Sequence, residues 1–237
     1  LVSLIHRIQR GLLQNSMRSA LLVGALIFLA LGAMVPTGNY DSGLYHFGSI
    51  RWLNEYPIAI GLGNLHSRFA FNQSYFGLIA LANFFPFWNK GYALIGPLIL
   101  CLTLLTLIEL RMSQARLPAD LFIGCMLIAA FFSGDLSSPI PDLAISLIQL
   151  NLFALLYVQI TSFYYQQHLQ ERTSIAILVL STLMICIKLS GLAYAIGAVT
   201  MLVILCGSPF RIFYTASVAK KVLLFILGML FIPVSYT

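Results

Sequence analysis

Apolar residues run along this chain in long blocks separated by short polar breaks. The clearest blocks are 19–35, 92–110, 121–133, 142–163, 174–187, 191–205 and 222–236. Each is apolar all the way round a 3.6-residue period, as in a helix whose every face meets protein or lipid. Pro36, Thr37 and Gly38 stop the first block. A mixed region, 39–90, follows and holds Asp41, His46, Arg51, Glu55, His66 and Arg68. Inside it, 71–85 is apolar but interrupted by Asn72, Gln73 and Asn83, a length that fits either a short span or an interfacial helix. Residues 1–18 mix apolar side chains with His6, Arg7, Arg10 and Arg18, the pattern of an amphipathic helix lying on a membrane surface.

Composition changes this from a helical protein to a membrane protein. Of 237 residues, 60% are hydrophobic and 8% charged. A soluble domain is roughly 25% charged. Thirteen Lys and Arg with seven Asp and Glu are too few to coat a soluble globule of this size. A soluble enzyme, a disordered chain and a disulfide-stapled secreted domain are excluded. The net charge of +6 does not indicate nucleic acid, because the basic residues are scattered between apolar blocks. Cys101, Cys125, Cys186 and Cys206 sit within apolar runs and read as small hydrophobes. The chain opens at Leu1 and closes in an apolar run, as a piece of a longer protein would.

Counting basic residues orients the spans. If 71–85 lies in the outer interface, the cytoplasmic side holds Arg7, Arg10, Arg18, Arg111, Arg116, Arg172, Arg211, Lys220 and Lys221. The outer side then holds only Arg51, Arg68, Lys90 and Lys188, which is nine against four. If 71–85 spans, the balance becomes five against eight. The first arrangement predicts a single all-α transmembrane domain over 1–237: a polytopic bundle of seven spans with a cytoplasmic N-terminus. In it 19–36 is the first span, 37–91 a long outer loop with amphipathic helices, and 92–237 the remaining spans. It also places 39–90, 134–141 and Lys188 on one outer side.

The chemistry collects there. Asp41 lies just past the first span in Asn39-Tyr-Asp-Ser-Gly-Leu-Tyr-His46, with Ser42 able to cap a helix running to about Tyr56. A carboxylate there can orient a hydroxyl, take its proton or hold a divalent metal, or it can simply cap the helix. Tyr45 and His46 follow, and His46, five residues on, does not share a face with Asp41 on a regular helix. Gly61-Leu-Gly-Asn64 implies a folded loop, after which His66 could meet metal or phosphate and Arg68 offers a donor fork suited to phosphate. Asp135 and Asp142 flank Ser-Ser-Pro-Ile-Pro at a helix start, where a structural role is equally available. Lys188 separates two short apolar blocks, and an ammonium there needs an anion or a wet recess, or must snorkel. Carboxylates and cations around one recess suit a substrate with a greasy tail, a phosphate and a polar head.

The order of these stretches resembles the GT-C superfamily of integral membrane glycosyltransferases. The likeness rests on Asn39-Tyr-Asp-Ser-Gly-Leu-Tyr-His46, Ser137-Ser-Pro-Ile-Pro-Asp142 and Ile187-Lys-Leu-Ser-Gly-Leu192. Protein mannosyltransferases and the aminoarabinose transferases of lipid A are nearest in pattern, along with bacterial membrane proteins carrying similar Y-D-x-G-L-Y-H and G-L-G-N-L-H stretches. The resemblance implies sugar transfer from a polyprenyl-phosphate donor to an acceptor at the outer face of the inner membrane, with inversion. It implies that Asp41 orients or deprotonates the acceptor, that His66 and Arg68 meet the lipid phosphate, that Asp142 lines the cavity and that Lys188 faces the donor phosphate. Asn64, Tyr45, His46 and Asp135 are further candidates, and a divalent metal is a candidate cofactor. The acidic pair that follows the first span in that superfamily is Asp41-Ser42 here. Expected partners are the lipid-linked donor and membrane lipids. The alternative function is a transporter or lipid-handling protein whose ion sites use the same charges.

Overall fold

The computed structural model describes residues 23–24, 27, 30–56, 61–70, 74–83, 90–113, 118, 120–166 and 169–206. Among the described residues every regular element is helical. The expected amphipathic segment 1–18, most of the first span and the final span 222–236 lie outside them. Residues 30–34 are helical and end before Pro36. A widened turn, Ser42–His46, leads into α1, Phe47–Glu55. Two short pieces follow, α2 (Leu62–Leu65) and a 3-10 turn (Ser67–Ala70), then α3, Ser74–Leu81. The longer helices come next: α4 (Gly91–Ser113), α5 (Asp120–Phe131), α6 (Pro141–Gln166), α7 (Glu171–Ile187) and α8 (Leu192–Cys206).

α6 is the central helix because it is apolar on two faces. Leu143, Leu147, Leu150, Ala154 and Val158 pack with Leu100, Leu104 and Leu107 of α4 and Cys125 and Ala129 of α5. Ala144, Ile145, Ile148, Leu152 and Leu155 pack with α7, α8 and the outer-loop helices, meeting Ile177, Met184, Ala198, Ile50 and Phe76. Two amides on this axis pair across helices through their N–H groups: Asn151 donates to Thr103 (2.8 Å) and Gln159 to Ser174 (2.8 Å), while Asn151 Oδ1 and Gln159 Oε1 meet no partner among the described residues. An unpaired amide here would carry a desolvation cost with no return.

The outer faces of α4 and α5 are apolar and exposed. Leu98, Leu102 and Leu105 stand 51%, 53% and 42% exposed, and Ile123, Met126, Leu127 and Phe131 are also bare. Two helices, Gly91–Arg111 and Pro141–Tyr165, are long and apolar enough to cross a membrane. Both belong to the expected set of spans, of which most of the first block and all of 222–236 lie outside the described residues. The blocks 121–133 and 191–205 form helices of 12 and 15 residues, Asp120–Phe131 and Leu192–Cys206. At 1.5 Å per residue these reach roughly 18 and 22 Å, short of a 30 Å hydrocarbon core unless thinning or flanking turns make up the difference. Among the described residues of 71–85, the helical part is Ser74–Leu81, 8 residues, about 12 Å long. It packs Tyr75, Phe76 and Ile79 into the core.

Candidate functional site

The first carboxylate is placed by a helix start that differs from the expected one. Asn39, and not Ser42, supplies the cap: its side-chain oxygen accepts from the Ser42 N–H at 3.2 Å. Asp41 has helical backbone angles and makes no capping bond. Its carboxylate is instead ion-paired with the Arg68 guanidinium. Capping, the plainest role open to Asp41 in the sequence, is therefore not its role.

Ser42 to His46 form a π-type turn in which the Phe47 N–H donates to the Ser42 carbonyl, five residues back. On a regular helix five residues lie about 140° apart. The wider turn departs from that spacing, and Asp41 is one of the charges acting on the His46 ring. The His46 ring is 2% exposed. It shares a hydrogen bond between Nδ1 and the Ser42 hydroxyl at 3.2 Å. It packs edge-on to Tyr45, with centroids 4.3 Å apart, and against Phe76 at 5.1 Å.

Arg68 reaches this place because the loop before it is folded. Gly61 has φ +82°, the left-handed region open to glycine, and α2 turns the chain after it. His66 Nδ1 then accepts from the Arg68 N–H at 3.2 Å and starts the 3-10 turn. His66 thus shapes the loop that presents Arg68. Asn64 lies on the exposed side of the same loop. The guanidinium lies 5.2 Å from the Tyr45 ring centroid, a cation–π contact that fixes it from the far side.

The second carboxylate belongs to the first turn of α6, where Pro141 opens the helix. Lys188 Nζ donates to Asp142 Oδ1 at 2.6 Å. Lys188 sits in an extended break, φ −158° and ψ 132°, between α7 and the 3-10 turn Leu189–Gly191. The break is compact because Gly191 packs on Met184. A Cβ at 191 would stand 2.6 Å from Met184 Cγ. The Ser74 hydroxyl donates to the Cys186 carbonyl at 2.7 Å, tying α3 to the end of α7.

The two ion pairs are neighbours. Burial pushes the His46 imidazole down to about 4, Asp41 and Asp142 oppose that shift, and Lys188 and Arg68 add to it. All four charges therefore act on one ring. Asp135 is a partial outlier: its carboxyl is raised above the usual range by burial, and it is absent from the charges acting on His46. Arg51 and Glu55 form an exposed pair at 2.9 Å away from this cluster, as their i,i+4 spacing predicts. Among the described residues no three His, Cys, Asp or Glu side chains converge to hold a metal. Asp41 and Asp142 each already face a cation, so the donor set does not fit a divalent ion.

Sequence reasoning named all four charged residues but missed the groups between them. Ser42 and Ser138 join their hydroxyls in a buried hydrogen bond across 96 positions of sequence. Serines next to an acidic residue and a proline look like helix-start residues, so only the tertiary structure reveals this role.

The chain belongs to the family described as a domain of unknown function, DUF8201, which it matches over residues 1–234. No curated protein and no solved structure matches it.

Proposed function

We propose that this chain is a polytopic membrane glycosyltransferase of the GT-C kind. It moves a sugar from a polyprenyl-phosphate donor to an acceptor hydroxyl at the outer face of the inner membrane. One observation carries this reading: two ion pairs, Asp41–Arg68 and Asp142–Lys188, drawn from four separate segments, stand close enough for all four charges to act on one buried ring. The reading also draws on the exposed apolar faces of α4 and α5, which suit lipid, and on the sequence resemblance.

The chemistry follows from the charges. The bond between the sugar's anomeric carbon and the phosphate oxygen breaks as the acceptor oxygen attacks from the opposite side. Negative charge grows on the departing phosphate, and Lys188 and Arg68 are the groups to balance it. The acceptor's proton passes to Asp41. In the substrate-free protein each cation is held by a carboxylate. An arriving phosphate competes for the cations and frees Asp41 to accept a proton, while Asp142 stays beside Lys188 to orient it. The seven-span topology with a cytoplasmic N-terminus is part of the proposal, because it puts all four groups on the outer side.

The test is transfer from polyprenyl-phosphate-linked hexose or pentose by the full-length protein in liposomes. Asp41→Asn and Lys188→Ala are expected to abolish most of the activity. Normal rates in both variants with a verified donor would refute the assignment. A second reading draws on the break at Lys188, since transporters use interrupted helices to hold ions. Solute flux into proteoliposomes, with no sugar transfer, would favour it.

A further inference from the structure

Between the two ion pairs lies a set of buried polar groups to which the transfer chemistry assigns no part. Ser42 and Ser138 are fully buried and His46 nearly so. The Ser42 hydroxyl meets both the Ser138 hydroxyl and His46 Nδ1. Burying three polar side chains is unfavourable unless they satisfy one another, and here they do so across two distant segments. Ser42 is the middle of this chain of hydrogen bonds, with Ser138 and His46 at its ends. Ser42 directly follows Asp41, and Ser138 lies four residues before Asp142, in the loop that leads into α6. The Ser137 hydroxyl adds a second tie by donating to the Val35 carbonyl.

The His46 ring also reaches the other cation. It packs on Phe76 of α3, and Ser74 of the same helix donates to the Cys186 carbonyl, two residues before Lys188. His46 is thus linked through hydroxyls to the loop that precedes Asp142, and through α3 to the segment that precedes Lys188, while Asp41 lies on its own segment. Arg68 completes the ring of charges over Tyr45. A neutral imidazole suits this place, because it can bond to Ser42 without adding a fifth charge between two ion pairs.

We propose that His46 is the positioning residue of the cluster: acting through Ser42 and Ser138, it holds the Asp41–Arg68 and Asp142–Lys188 pairs in one register. The proposal takes its meaning from the transfer reading, but its geometry stands without it. The charged groups facing His46 are Asp41, Arg68, Asp142 and Lys188. Asp142 and Lys188 belong to the segments that meet its own across the Ser42–Ser138 bond and α3, whereas Asp41 sits on its own segment.

The experiment is histidine-selective NMR of the full chain in detergent micelles. With 4 histidines, the His46 signal is assigned by its loss in His46→Asn. Asp142→Asn is expected to lower the His46 titration midpoint and Lys188→Met to raise it. In a Ser138→Ala background both shifts should fall to less than half, while the shift caused by Asp41→Asn persists. Absent shifts in the parent chain, or equal shifts with and without Ser138, would overturn the proposal. In the transfer assay, His46→Leu should cost about 100-fold through misplacement of the charges. His46→Asn, which keeps a polar atom near the Nδ1 position, should recover most of that loss. Equal rates for His46→Leu and the parent chain overturn the positioning role. NMR shifts as expected in a protein that transfers no sugar would sink the transfer reading and leave the register intact.

Discussion

The two ion pairs look alike but are built differently. Asp41 and Arg68 lie 27 residues apart on short outer-loop elements, and Arg68 is steadied by an aromatic face. Asp142 and Lys188 lie 46 residues apart on helices that form the core, and Lys188 is fixed by a break in the backbone. The first pair thus joins two short outer-loop elements, while the second joins the start of α6 to the break after α7. Both pairs are one-third to one-half exposed, so their worth lies in chemistry more than in stability.

The largest effect should expose that contrast. Lys188→Ala is expected to cost transfer about 100-fold or more, roughly 3 kcal/mol of barrier, while lowering stability by no more than about 1 kcal/mol. Arg68→Ala should cost less activity, because Lys188 is the more buried of the two cations and its charge is less screened. Transfer rates set beside thermal unfolding in detergent separate the two quantities. A stability loss that accounts for the lost activity would remove the distinction.

Acid should act on both pairs at once through His46. The unfolded chain takes up this proton near 6.5, and the folded chain only at about 4. The stabilisation is therefore present above 6.5 and is lost as the pH falls toward 4, by up to about 3 kcal/mol. His46→Asn should flatten this part of the pH–stability profile, measured by scanning fluorimetry. An unchanged profile would mean that His46 titrates normally.

Smaller changes address one pair at a time. Gly191→Ala forces a methyl into Met184 and should destabilise the Lys188 break by about 1–3 kcal/mol, leaving the Arg68 side intact. Tyr45→Leu removes the cation–π contact with Arg68 and a buried ring packed on His46 and Phe76, and should loosen the Arg68 side and the His46 seat together by about 1–3 kcal/mol. Arg51→Ala removes an exposed pair outside the cluster and should leave both the melting temperature and the transfer rate unchanged. Unfolding curves and rates for these three variants rank them.

How much was legible beforehand follows from the range of each interaction. The helical class and the membrane character were readable, because apolar blocks and scarce charge are local properties of the chain. That Asp41, Arg68, Asp142 and Lys188 belong together followed from assigning them to one side by counting basic residues. Which carboxylate takes which cation was not readable, since those pairings depend on how distant helices pack. The π-type turn left no trace in hydropathy. Ser42 carried the ordinary signature of a cap, and only the position of Asn39 shows that the cap had already been supplied. Helix lengths were less readable than apolar blocks: among the described residues, the helices of blocks 121–133 and 191–205 run 12 and 15 residues.

The central claim is that two ion pairs serve a single site. Transfer rates for Asp41→Asn, Lys188→Ala and the double variant test it most directly. One site predicts that the double variant is little slower than the slower single variant, because groups that act as a unit are not additive. Losses that multiply, or single variants with undiminished rates, would contradict it.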